Sequence, residues 1–254
     1  MKKLSLVLVV ISLFGVTGAI SAQNFSMGLK GGLNIPNLTA GGVQNPLNEG
    51  YESRLGANYG AFGEFHISKV FSISLGAEFS SQGGQKDKFQ AFVPAGPLAP
   101  VAQALGINYL YADYKSVAKM NYLIVPVLAR FSWNISRTGP LSFYAAIGPF
   151  AGFLLRAHQI TSGESIIYAD AAGTIPLTPT PQPFDADTDI IDQLNKFNFG
   201  LNGYIGFAYK FTDQNSMFIE GGGNYGFIPI QKESDNGKNY SGAGTVSFGI
   251  KRRF

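Results

Sequence analysis

The sequence contains no cysteine, which excludes a disulfide framework, a lipid-bearing N-terminal cysteine, a thiol nucleophile and any cysteine metal site. Charge is also scarce. Asp, Glu, Lys and Arg make up 14% of the chain, against about 25% in soluble domains. There are two histidines and one tryptophan. Beyond residue 22 no apolar run approaches the ~18 residues of a membrane helix. What is plentiful is glycine, at 32 residues, and aromatics, at 13%. Many rings and little charge exclude a disordered chain and suit a sheet that faces something apolar. A length of 254 residues fits one or two domains, and a barrel uses it all as one.

The first residues read as a secretory signal peptide. Lys2 and Lys3 form a basic start, residues 4–20 are largely apolar, and Ser21-Ala22 offers a small-residue cleavage site. The domain expectation is a signal peptide over 1–22 and an outer-membrane barrel over 23–254; an N-terminal membrane anchor is the less favoured alternative. Without Lys2 and Lys3 the chain carries 17 basic and 16 acidic residues. Net charge therefore gives no reason to expect a nucleic-acid partner.

The strongest pattern is alternation. From 197 to 211 the odd positions include Phe197, Phe199, Leu201, Ile205, Phe207, Tyr209 and Phe211, and the even ones Asn198, Gly200, Asn202, Gly206 and Lys210. Period two over such a length predicts a strand with one apolar face. It is longer than the usual ~5–6 residues and suits a tilted strand crossing a bilayer. Similar segments lie at 25–33, 54–65, 71–80, 121–133, 141–155, 217–227 and 244–254, although 121–133 is apolar on both faces. The links alternate too. Those at 66–70, 134–140 and 212–216 are short; those at 34–53, 81–120, 155–196 and 228–243 are long. The expected fold is all-β: an eight-stranded antiparallel up-and-down transmembrane β-barrel with short periplasmic turns and long extracellular loops. Closure pairs every backbone polar group within the protein. The expected location is the outer membrane, with both termini periplasmic and outer-membrane lipid against the wall. Phe65, Phe71, Phe131, Trp133, Tyr209 and Phe211 fall near strand ends, as an aromatic girdle at the periplasmic rim.

Nine charges fall on the inward parity: Lys30, Glu64, Glu78, Arg130, Arg156, Lys210, Glu220, Lys251 and Arg253. An eight-stranded barrel is just wide enough for side chains to fill, and buried charges must pair. They are read as a lumen network, centred on Arg130, Glu64, Glu78 and Glu220, in preference to a conduit or proton path. Filling by Phe62, Tyr144 and Tyr204 argues against a pore. Asp185, Asp187, Asp189 and Asp192 cluster in the third long link, but the string lacks the turn glycine and distal glutamate of a calcium loop. A solvated loop is the favoured reading. His66 and His158 are expected at opposite ends of the wall, so they share no metal or triad. Glycine-rich phosphate motifs are missing. The expectation is a non-enzymatic chain with no catalytic residues, cofactor or metal; a membrane-embedded enzyme or a small pore is the less favoured alternative. Among the loops, 92–106 allows a short helix over the mouth, and 175–183 holds four prolines and reads as stiff and extended. Both could dock a partner or simply cap the barrel.

Several segments resemble a known family. They are Gly28-Leu29-Lys30-Gly31-Gly32-Leu33-Asn34, Leu75-Gly76-Ala77-Glu78-Phe79-Ser80-Ser81-Gln82-Gly83-Gly84, Asn121-Tyr122-Leu123-Ile124-Val125-Pro126-Val127-Leu128 and Ala146-Ile147-Gly148-Pro149-Phe150. Their order and spacing resemble the PorT-like outer-membrane β-barrel proteins of Bacteroidetes over 23–254. The family often has an acidic residue where this chain has Ile124. The resemblance implies the barrel fold and outer-membrane location. Through a few relatives it implies an auxiliary role in protein secretion across the outer membrane; the filled barrel and long loops themselves point to a structural or loop-mediated role in binding or assembly. Phe254 resembles the C-terminal aromatic signal read by the barrel-assembly machinery. A protein partner would engage loops 81–120 and 156–196.

Overall fold

The computed structural model describes residues 24–41, 45–136, 139–233 and 237–254. The expected signal peptide, 1–22, lies outside the described residues. Eight long strands form the wall: β1 (Phe25–Gly41), β2 (Gly56–His66), β3 (Phe71–Phe92), β4 (Leu110–Asn134), β5 (Leu141–Ser162), β9 (Phe197–Lys210), β10 (Asn215–Gly226) and β11 (Lys238–Arg253). Between β5 and β9 lie three short strands, β6 (Glu164–Ser165), β7 (Gln182–Pro183) and β8 (Ala186–Asp189). Each wall strand pairs antiparallel with its chain neighbour, and β1 pairs β11, which closes the ring. Strand β8 adds a short second partner to the upper part of β5. Among the described residues no helix is long and apolar enough to cross a membrane.

Alternation decides which way each side chain faces. On β1, Met27, Leu29, Leu33 and Ile35 are exposed, whereas Ser26, Lys30 and Asn34 are buried. On β11, Val246, Phe248 and Ile250 are exposed, while Thr245 and Ser247 are buried. This is the inverse of a soluble sheet. A continuous belt of exposed Leu, Ile, Val and Phe far exceeds the few hundred Å² a soluble monomer leaves bare. It is the outer face of a membrane barrel, with polar groups inside. Rings border the belt at the short-turn end: Phe71–Phe131, Trp133–Phe143 and Phe143–Phe207 lie with centroids 5.1, 6.0 and 5.5 Å apart.

The short turns all lie at one end, between β2 and β3, β4 and β5, and β9 and β10. Hydroxyls tie two of them: Ser68 Oγ accepts from the Phe71 N–H at 3.0 Å, and Thr212 Oγ1 from the Asn215 N–H at 2.9 Å. Both ends of the wall meet there too, where the Phe254 N–H donates to the Phe25 carbonyl at 2.9 Å.

The strands run much further toward the other end than the apolar alternation suggests. Strand β3 continues to Phe92, β4 begins at Leu110 and β5 ends at Ser162. The loops expected at 81–120 and 155–196 are accordingly shorter, 93–109 and 163–196. Where the outer belt stops, the outward positions of β4 become Asp113, Lys115, Lys119 and Asn121. Lys115 meets Asp87 at 3.4 Å, both exposed. The wall is still sheet, but its outer face is now wetted. The expected short helix is present as α1 (Leu98–Leu105), with Ala102 its buried residue.

Candidate functional site

The inward side chains form layers. The floor, at the short-turn end, is built around Glu64. Its Oε2 lies 2.8 Å from Lys251 Nζ and 3.6 Å from Arg130 Nη1, and its Oε1 accepts from Ser72 Oγ at 2.6 Å. His66 Nδ1 stands 3.7 Å from the same Oε1, and His66 Nε2 is 2.8 Å from Ser26 Oγ. The Arg130 guanidinium lies 3.6 Å from the Tyr144 ring centroid.

The middle layer centres on Lys30, whose Nζ lies 2.9 Å from Glu78 and 3.0 Å from Glu220. The Tyr144 hydroxyl donates to Glu220 at 2.7 Å, and Lys30 sits 4.2 Å from the Tyr204 ring centroid. The three acids Glu64, Glu78 and Glu220 thus balance the three bases Lys30, Arg130 and Lys251. Such pairing keeps buried charges tolerable rather than making them strongly stabilising. Glycines make room for the rings. A methyl on Gly28 would collide with the Phe62 ring, and one on Gly249 with Phe218.

Above lies an uncharged polar layer. Asn34 Nδ2 donates to Ser80 Oγ at 2.8 Å, and Asn34 Oδ1 accepts from Thr245 Oγ1 at 2.9 Å and Asn58 Nδ2 at 3.2 Å. The mouth is apolar. Met120, Tyr122, Ile124, Phe150 and Leu154 from the wall pack with Leu194 and Ile230 from the long links. The links are fastened by backbone contacts: Asn195 Nδ2 donates to the Pro229 carbonyl at 2.9 Å, and Asn239 Nδ2 to the Asn48 carbonyl at 3.0 Å. Lys86, buried above the apolar belt, donates to the Leu47 carbonyl at 2.9 Å and lies 4.4 Å from the Tyr51 ring centroid. Burial pushes the Lys86 ammonium down to about 8; the nearby Lys88 charge acts the same way and Glu49 opposes it.

Of the nine charges placed inward from sequence, six meet in these two layers. Lys210 and Arg253 are exposed but line the floor opening. Arg156 requires correction, because it is exposed and faces away from the lumen. The ladder between β4 and β5 shifts register there, pairing Asn121 with Arg156 but Tyr122 with Leu154. The extra residue in β5 is a bulge, which reverses the parity of everything after it. Leu154 and Ala157 therefore point inward and Arg156 outward. Ile124, at the family's acidic position, is part of the apolar mouth.

The loop acids each hold a separate partner. Asp185 accepts from the Gly163 N–H at 3.1 Å, Asp187 lies 2.7 Å from His158, Asp189 accepts from the Ile191 N–H at 2.9 Å, and Asp192 lies 3.0 Å from Lys196. Hydrogen bonding and charge from Lys196 hold Asp192 below the usual carboxylate range. Among the described residues no group of three His, Asp or Glu side chains is placed to hold a metal ion. His66 lines the floor, and His158 sits on the upper part of β5 beside β8. The apolar mouth was missed from sequence, since Leu194 and Ile230 stand in links without periodicity.

Fold and interior together define an eight-stranded outer-membrane barrel with a filled lumen. A family model described as outer membrane protein beta-barrel domain matches residues 21–232, and the chain belongs to that family. No curated protein matches. Among solved structures, the chain is similar to Neisserial surface protein A at 11% identity, covering 91% of this chain and 97% of that one, with a TM-score of 0.39. It is also similar to OprG from Pseudomonas aeruginosa, at 10% identity, 91% and 97% coverage and a TM-score of 0.41. Ail of Yersinia pestis aligns at 12% identity, 91% and 99% coverage and a TM-score of 0.37.

Proposed function

We propose that this chain is a non-enzymatic barrel acting at the cell surface through its long connections, with the short turns and both chain ends in the periplasm. The wall above the apolar belt carries this reading. In β4, residues 110–122 add about 30 Å of height at a tilt of about 40°. That tower presents Asp113, Lys115 and Lys119 outward while the lumen beneath it is filled. A tall wetted surface above a blocked interior suits recognition better than passage. In this reading residues 1–22 are removed on export, Phe254 guides assembly, and a protein partner engages the ends of β3 and β4 with the 163–196 link. The segments shared with PorT-like proteins of Bacteroidetes support a second reading on the same surface, an auxiliary part in protein secretion.

The lack of cysteine gives a clean experiment. In intact cells, an impermeant maleimide should label Lys115→Cys but leave Lys69→Cys untouched; the reverse pattern would refute the orientation. A photo-crosslinker at 115 should then capture discrete outer-membrane proteins. Secretion components would favour the second reading, and capture of lipid alone would remove the protein partner.

A further inference from the structure

The floor of the lumen has a feature that recognition at the opposite end does not use. Between the short turns lies a cavity of about 310 Å³, whereas the mid-lumen void beside Lys30 is about 20 Å³. The larger value reaches the lower end of ordinary ligand pockets, about 300–1,000 Å³. Five cations line it, Lys69, Arg130, Lys210, Lys251 and Arg253, against two carboxylates, Glu64 and Asp213. Turn residues from both the β2–β3 and β9–β10 connections border it, so it opens along the barrel axis and not through the wall.

Arg130 sharpens the chemistry. It is 5% exposed, and its Nε has no hydrogen-bond partner among the described residues. A buried donor left unmatched is costly, and native interiors contain few of them. One face of its guanidinium lies against Tyr144, so the remaining N–H groups act in the guanidinium plane. That planar fork matches the paired oxygens of a carboxylate or phosphate. Among the described residues one carboxylate, Glu64, is paired with both Arg130 and Lys251, which leaves a positive excess at the floor.

We propose that this floor binds a small soluble organic oxyanion, a phosphate or carboxylate compound entering from the short-turn side. Arg130 grips it in the guanidinium plane, Lys251 supplies a second donor, and Lys69 and Lys210 raise its local concentration at the rim. The site is independent of the surface role assigned to the long connections.

Trp133, the single tryptophan, borders the opening, but its ring packs outward against Phe131 and Phe143, so binding is read by heat and not by emission. The test uses the full-length barrel in maltoside micelles, titrated with inorganic phosphate while chloride holds ionic strength constant. Calorimetric titration should give a saturable heat, with half-saturation at or below about 10 mM. The double variant Lys69→Gln/Lys210→Gln changes exposed rim residues only and should keep heat-modifiable gel migration. Its half-saturation should rise about three- to tenfold, the effect of removing two nearby charges that act across solvent. Arg130→Lys, which keeps the charge but loses the fork, should weaken binding further. Three results would overturn the proposal: no saturation up to about 100 mM, the same heat with chloride alone, or an unchanged midpoint in the double variant.

Discussion

The two ends of the lumen solve one problem with opposite chemistry. The floor is charged and open: Glu64, Arg130 and Lys251 meet beside a cavity that water can enter. The mouth is apolar and shut: Phe150, Leu154 and Met120 pack against Leu194 and Ile230. The mouth is matched by close packing, whereas the floor pairs its charges but leaves Arg130 Nε without a partner among the described residues. The molecule is closed at the mouth and open at the floor. At the floor the paired charges border a wetted vestibule, whereas the mouth needs the long links to finish its core.

Removing one partner of a fully enclosed charge should have the largest effect. Lys30→Met leaves Glu78 and Glu220 facing each other and should cost about 3–5 kcal/mol in urea unfolding from lipid vesicles. Glu64→Gln at the wetted floor should cost less, about 1–3 kcal/mol, because solvent reaches Lys251. Equal losses would dissolve the contrast between enclosed and open layers. At the mouth, Leu154→Ala should cost about 2–4 kcal/mol by opening a cavity. The same assay reads it, and a loss below about 1 kcal/mol would mean the plug is loosely packed.

A smaller effect concerns Lys86. Its value in the fold, about 8, lies below the free value of about 10.5. The undocked segment therefore binds the proton more tightly, and docking strengthens as pH rises from about 8 to 10.5. Proteolysis within 45–55 should slow about three- to tenfold between pH 7 and 9.5, and Lys86→Met should remove that dependence beyond the protease's own. Smallest of all, Lys115→Ala at the exposed Asp87 pair should change stability by less than about 0.5 kcal/mol.

The wall was legible because lipid and lumen impose opposite polarity on alternate residues, as at 197–211. Glu64, Glu78 and Glu220 were legible for the same reason. Three things were not. The bulge beside Arg156 is a backbone event with no residue-type signature, and it reverses every later assignment on β5. The tower was read as loop because Asp113, Lys115 and Lys119 face water, which removes the apolar half of the alternation. The plug joins wall residues to Leu194 and Ile230, whose partners are distant in sequence. The floor cavity likewise depends on which charges share a partner, which parity alone does not convey.

The mouth and middle layers shut the lumen. Single-channel recording of the purified barrel in planar bilayers tests it most directly. The expected record is a flat baseline for the native protein, with brief openings at most in Leu154→Ala. A steady, ohmic conductance from the native chain would mean that the lumen is open.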